Sequence, residues 1–97
     1  YGASADAHHI TTPSGDGAVR CMTAALHDAA LSPMDVGYIN AHATSTPSGD
    51  ITELMAINQV FANDGGHKVS VSATKAATGH MLGAAGGMSS ICYMYCI

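Results

Sequence analysis

Two histidines, His42 and His80, occupy matching settings: each follows a β-type run, stands among Thr, Ser and Gly, and precedes a helix-type run. Two neutral imidazoles aimed at one point donate hydrogen bonds to an oxygen that becomes negative, the requirement for stabilising an enolate or a tetrahedral oxyanion. A helix N-terminus beside His80 would help hold that ring unprotonated, because its positive end disfavours a cation. The residues alone leave a second reading standing, since a histidine at a helix start can simply satisfy orphan backbone groups. Lys75 is the single basic residue of the loop before His80. Its default reading is an exposed lysine, with Glu53 as the candidate partner of a buried ion pair that would orient the loop.

The other histidines have plainer explanations. His27 falls on a helix and His67 in a turn, both expected at the surface, and the adjacent His8 and His9 would point to opposite sides of an extended segment. No H-E-x-x-H or paired-cysteine pattern supports a metal site, so none is expected.

These residues must be positioned by elements that the spacing defines. Ala18, Val19, Met22, Ala25, Leu26 and Ala29 recur at helical intervals and predict a helix over Gly17–Ala30, with Asp16 as its cap. Val36–Asn40 and Lys68–Ser72 have the length and β-branched content of strands. Between them Ile51, Leu54, Ile57 and Phe61 set a second helix ending near Ala62, with Asp50 and Glu53 in its first turn as a capping box. Asn63–Gly66 closes it. A loop from Ala73 to Gly79 then leads to a helix that begins at His80. Alternating helix and strand predicts an α/β fold with helices packed on one sheet, and loops at the carboxyl ends of strands carry function in such layouts. Both histidines would lie there.

Composition narrows the function classes. Only Arg20, Lys68 and Lys75 are basic against seven acids among 97 residues, which leaves no electrostatic footprint for nucleic acid or an anionic membrane. Low charge with abundant Ala, Gly and Met suits a segment covered by other protein. Tyr1 is not a methionine and Ile97 falls inside an apolar stretch, so a piece of a longer chain is expected. Cys21, Cys92 and Cys96 match no zinc spacing and read as small core residues of a soluble protein in a reducing compartment. Met81–Ile97 approaches the length of a membrane span and contains a G-x-x-x-G match, but its glycines and serines and the lack of flanking basic residues favour a buried helix.

Asn40-Ala-His42-Ala-Thr44-Ser-Thr46-Pro-Ser-Gly-Asp50 and Ser72-Ala-Thr-Lys75-Ala-Ala-Thr-Gly-His80-Met-Leu-Gly-Ala-Ala-Gly86 resemble the two histidine motifs of the elongating β-ketoacyl-acyl-carrier-protein synthases. The opening Tyr1–Pro13 resembles the segment ahead of them, and the likeness covers essentially all of residues 1–97. It implies a thiolase-like fold, an αβαβα layered sandwich of two similar α/β halves, of which this chain is most of the second, C-terminal half. The resemblance implies His42 and His80 as the catalytic histidines and Lys75 as the lysine supporting them. Glu53 matches the acid near that lysine, and Asp50 is expected to order the loop. Thr44 and Thr46 match the threonines that bind the phosphopantetheine arm of acyl carrier protein.

The implied reaction is decarboxylative condensation of malonyl-carrier with an acyl thioester held on a cysteine. That cysteine belongs to the half ahead of Tyr1, so the isolated segment is expected to be inactive; no separate cofactor is implied, and the whole enzyme is expected to be a homodimer. Ala43 stands where many relatives have glycine, and Met88–Ile97 follows the family pattern loosely. The rival within the family is a ketosynthase-like subunit of the chain-length-factor type, or a polyketide ketosynthase domain. A dinucleotide-binding turn at Thr78–Gly86 is the rival outside it, and its glycines are misplaced for that role.

Overall fold

A computed structural model describes residues 1–5, 14–62 and 68–96. His8, His9, His67, Pro13 and the Asn63–Gly66 turn lie outside the described residues. The described elements are α1 (Gly15–Asp28), a 3-10 turn (Pro33–Asp35), β1 (Tyr38–Asn40), α2 (Pro47–Phe61), β2 (Ser70–Ser72), α3 (Lys75–Thr78), a second 3-10 turn (Leu82–Ala84) and α4 (Ala85–Cys96). The expected α/β alternation is present.

The two strands pair in parallel, Tyr38 opposite Ser70, Ile39 opposite Val71 and Asn40 opposite Ser72. Both are shorter than the runs that predicted them; in β1 the extended Val36 gives its N–H to Pro33 O of the preceding 3-10 turn and not to the ladder. Bonds from Ser70 N–H to Gly37 O (3.0 Å) and from Ala41 N–H to Ser72 O (2.8 Å) finish the ladder at its two ends. Parallel strands require a crossover, and α2 supplies it.

Helix α1 is capped by Ser14, not by Asp16: the Ser14 hydroxyl accepts from Gly17 N–H at 3.0 Å, while Asp16 lies in the first turn and pairs with Arg20 at 2.9 Å. That pair is exposed and contributes little. The helix ends two residues before the expected boundary, in a Schellman arrangement in which Ala30 N–H reaches His27 O and Leu31 N–H reaches Leu26 O. Ala30 takes the left-handed position there, with φ 53°.

Helix α2 starts a turn earlier than predicted, at Pro47 after the N-cap Thr46. Proline has no N–H to lose at the first helical position, and its φ is already helical. Asp50 and Glu53 therefore stand inside the helix, and the expected Asp50–Glu53 capping box does not form. The expected apolar stripe divides as well. Ile57 and Phe61 are buried with Ala56 and Ala41, and Ile57 and Phe61 border a cavity with Val69 and Val71. Ile51 and Leu54, each 61% exposed, form a second apolar face with Met55. A helix apolar on two faces is built for burial on both.

The segment before α4 departs most from expectation. Lys75 opens a short helix inside the predicted loop, Gly79 turns out of it with φ 78°, and Leu82 follows with φ 51°. The 78° value lies in the region glycine enters without steric cost. Residue 80 consequently sits between two short helical pieces and not at the start of α4. Tyr93 on α4 stacks on Tyr38 of β1 with ring centroids 4.9 Å apart and planes 7° from parallel. No helix among the described residues is long and apolar enough to cross a membrane.

Two substitutions in the full-length protein test the ends of α1. Ser14→Ala should lower stability by about 1 kcal/mol through loss of the cap. Ala30→Gly should raise it by up to about 1 kcal/mol by relieving the left-handed residue. Thermal or denaturant unfolding reads both, and an Ala30→Gly variant less stable than the parent would contradict the observed helix end.

Candidate active site

Parallel pairing sends the loop after β1 and the loop after β2 out of the same end of the sheet. His42 leaves β1 directly and His80 returns from β2 by way of α3. Their rings meet edge to face, with centroids 5.2 Å apart and planes at 86°. Both side chains line one cleft of about 450 Å³, together with Thr44, Thr46, Gly49 and Asp50.

His80 is not at the N-terminus of α4 itself; it meets the first N–H of the 3-10 turn, Leu82–Ala84, that leads into α4. Its Nδ1 accepts the backbone N–H of Leu82 at 3.1 Å. In the neutral ring the proton is then on Nε2, so the hydrogen bond fixes the tautomer that presents Nε2–H as a donor. The ring thus satisfies an orphan backbone group, as a histidine at a helix start can, and the same bond leaves it suited to stabilise an oxygen anion.

The loop from Ala41 to Thr46 is held from α2. Ala43 and Ser45 both have positive φ, 32° and 62°. Positive φ at residue 43 accounts for a glycine being acceptable there, and alanine adopts it at a cost. The turn places the hydroxyls of Thr44 and Thr46 3.1 Å apart on the cleft wall. Gly49 backs them: a Cβ at that position would collide with Thr46 Oγ1.

Glu53 is where the structure corrects the expected ion pair. Its two carboxylate oxygens accept the backbone N–H groups of His42 (2.6 Å) and Ala43 (2.8 Å). Lys75, half-buried instead of exposed, borders one cavity with Glu53 and another with Asp50 and His80. Among the described residues it forms an ion pair with neither acid. Both Glu53 oxygens are instead engaged by the loop backbone. Asp50, expected to order the loop, has its Oδ1 shut off from solvent without a hydrogen-bond partner.

Sequence reasoning missed Asn40 and Tyr38. They share a face of β1 at the two-residue period, and Asn40 Nδ2 donates to the Tyr38 hydroxyl at 3.2 Å. That hydroxyl lies 2.7 Å from Ser72 Oγ on β2. Both line the cavity that holds Lys75, with Ser89, Ser90 and Tyr93 of α4 on its far side. Alternation along β1 was the available signal. Cys21 and Cys92 are half-buried free thiols away from the histidines. No group of three His, Cys, Asp or Glu suited to a metal ion occurs among the described residues.

The chain is 50% identical over 93 residues to 3-oxoacyl-(acyl-carrier-protein) synthase 2 of Staphylococcus aureus, a match covering 94% of this chain and 23% of that protein. It is 46% identical over 93 residues to the Vibrio harveyi protein of the same name, covering 94% and 22%. Among solved structures it resembles the ishigamide ketosynthase/chain length factor, with a TM-score of 0.82 and 37% identity over 93% of this chain and 22% of that one. The thiolase-like α/β fold is thereby established. The chain spans less than a quarter of the length of the curated relatives it matches. The family described as "Beta-ketoacyl synthase, C-terminal domain" matches residues 1–97 without a gap at either end, and the chain belongs to that family.

Proposed function

We propose that the full-length protein is a 3-oxoacyl-acyl-carrier-protein synthase, which extends an acyl chain in fatty acid synthesis by decarboxylative condensation with malonyl-carrier. The observation that carries this reading is the edge-to-face contact of His42 and His80 over a cleft whose wall bears the Thr44 and Thr46 hydroxyls. The names of the bacterial relatives support the same activity.

In the proposed reaction a cysteine outside this chain carries the acyl group as a thioester. The carboxylate of malonyl-carrier leaves as carbon dioxide, and the electron pair of the broken C–C bond moves onto the thioester carbonyl as an enolate. Nε2–H of His80, with His42 beside it, donates to that oxygen where its charge develops. The enolate carbon then attacks the acyl carbonyl, a C–C bond forms, and the cysteine departs as thiolate. Splitting the transfer in this way replaces one difficult step by two easier ones. Thr44 and Thr46 bind the phosphopantetheine arm, and Lys75, Glu53 and Asp50 support the histidines. Acyl carrier protein is the partner, and the whole enzyme is a homodimer in which residues 1–97 form most of the C-terminal half.

The likeness to a ketosynthase/chain length factor favours one alternative, a ketosynthase-like subunit without the cysteine or a polyketide ketosynthase. His42, His80 and Lys75 together argue for the catalytic form. A residue other than cysteine at the nucleophile position of the full-length protein would decide for the subunit.

His80→Ala in the full-length protein should slow malonyl-carrier decarboxylation by about 100- to 1,000-fold while acyl transfer to the cysteine survives. Equal loss of the two half-reactions would contradict the assigned role. Gly49→Ala should raise KM for malonyl-carrier more than it lowers kcat, because its Cβ displaces Thr46 and not a histidine. Steady-state kinetics with varied malonyl-carrier separates the two effects.

A further inference from the structure

We infer that Glu53 is the positioning residue for His42, acting through the backbone of the loop and not through Lys75. The β1–β2 ladder ends at the bond from Ala41 N–H to Ser72 O, and α2 does not begin until Pro47. The next two N–H groups, those of His42 and Ala43, have neither a strand nor a helix to pair with. Glu53 receives both, at 2.6 and 2.8 Å.

Each N–H meets its own oxygen, and a carboxylate is the side chain that presents two acceptor oxygens side by side. Glutamine has the same shape but would turn an NH2 group toward one of those N–H groups. The bonds matter because the loop is otherwise unfavourable: Ala43 and Ser45 hold positive φ, which non-glycine residues avoid. The clamp is mounted on a rigid base, since Ala56 and Ile57, one turn further along α2, are buried in the core. A carboxylate on a packed helix thus fixes the backbone from which the His42 ring reaches His80.

The inference rests on the synthase reading for its kinetic readout, but the clamp itself is measurable without activity. In the full-length protein, Glu53→Gln should speed hydrogen exchange at the His42 and Ala43 amides at least about tenfold, because their acceptors are lost or reversed. It should lower kcat for malonyl-carrier decarboxylation by about 10- to 100-fold with KM little changed. In a His42→Ala background the same substitution should cost less than about twofold, since a residue that acts only through His42 has nothing left to position.

Ala43→Gly, which frees the turn of its strain, should restore most of the activity lost in Glu53→Gln. A role in general stability would instead give equal losses in both backgrounds and no recovery with glycine. Either result, or unchanged amide exchange in a folded Glu53→Gln protein, overturns the inference. A parent enzyme that fails to decarboxylate malonyl-carrier would overturn the synthase reading, leaving the exchange measurement to judge the clamp.

Discussion

Parallel pairing of two three-residue strands is the constraint on which the site depends. Antiparallel strands would send the loops after β1 and β2 to opposite ends of the sheet. With Asn40 opposite Ser72, both chains leave the sheet side by side, and the histidines need only short excursions to meet. The hydroxyl of Tyr38, bonded within reach of both Asn40 and Ser72, fastens that register from the side-chain level. The Tyr38–Tyr93 stack extends the fastening to α4, so strand, strand and helix share one polar and aromatic seam.

Around that seam the polar groups are divided with little redundancy. Glu53 serves the backbone of the first loop, and the Leu82 N–H serves the second histidine ring. Lys75 and Asp50 border one cavity with His80, and among the described residues neither forms an ion pair. The apolar groups are divided differently. Ile57 and Phe61 fill the small core, whereas Ile51, Leu54 and Met55 face outward, matching a chain that is a fraction of its relatives' length.

The order of elements was readable because each rests on local pattern: β-branched Val69 and Val71 for β2, the three-to-four spacing for α1. Their ends were not. Strand length depends on where a partner's ladder stops, and the start of α2 was set by Pro47 rather than by the first apolar residue. The His42 and His80 pair was readable through its matching surroundings, yet the reason for the His80 tautomer was not. It lies in the Leu82 N–H turned back onto Nδ1, a contact set by the path of the chain between α3 and α4. The Glu53 clamp was hidden for a related cause. An acid near a helix start suggests a cap, and only the tertiary meeting of a strand end with the second turn of α2 gives it different donors.

The crossover through α2 also sets an order of events. Pairing β1 with β2 closes a loop that contains the whole of α2, and loop-closure entropy must be met before such a distant contact stabilises anything. Helix α2 can form from local interactions, but the two histidine loops come together only when the strands do. Assembly of the site therefore waits on strand pairing, and a chain in which the two rings touch has already closed the crossover through α2.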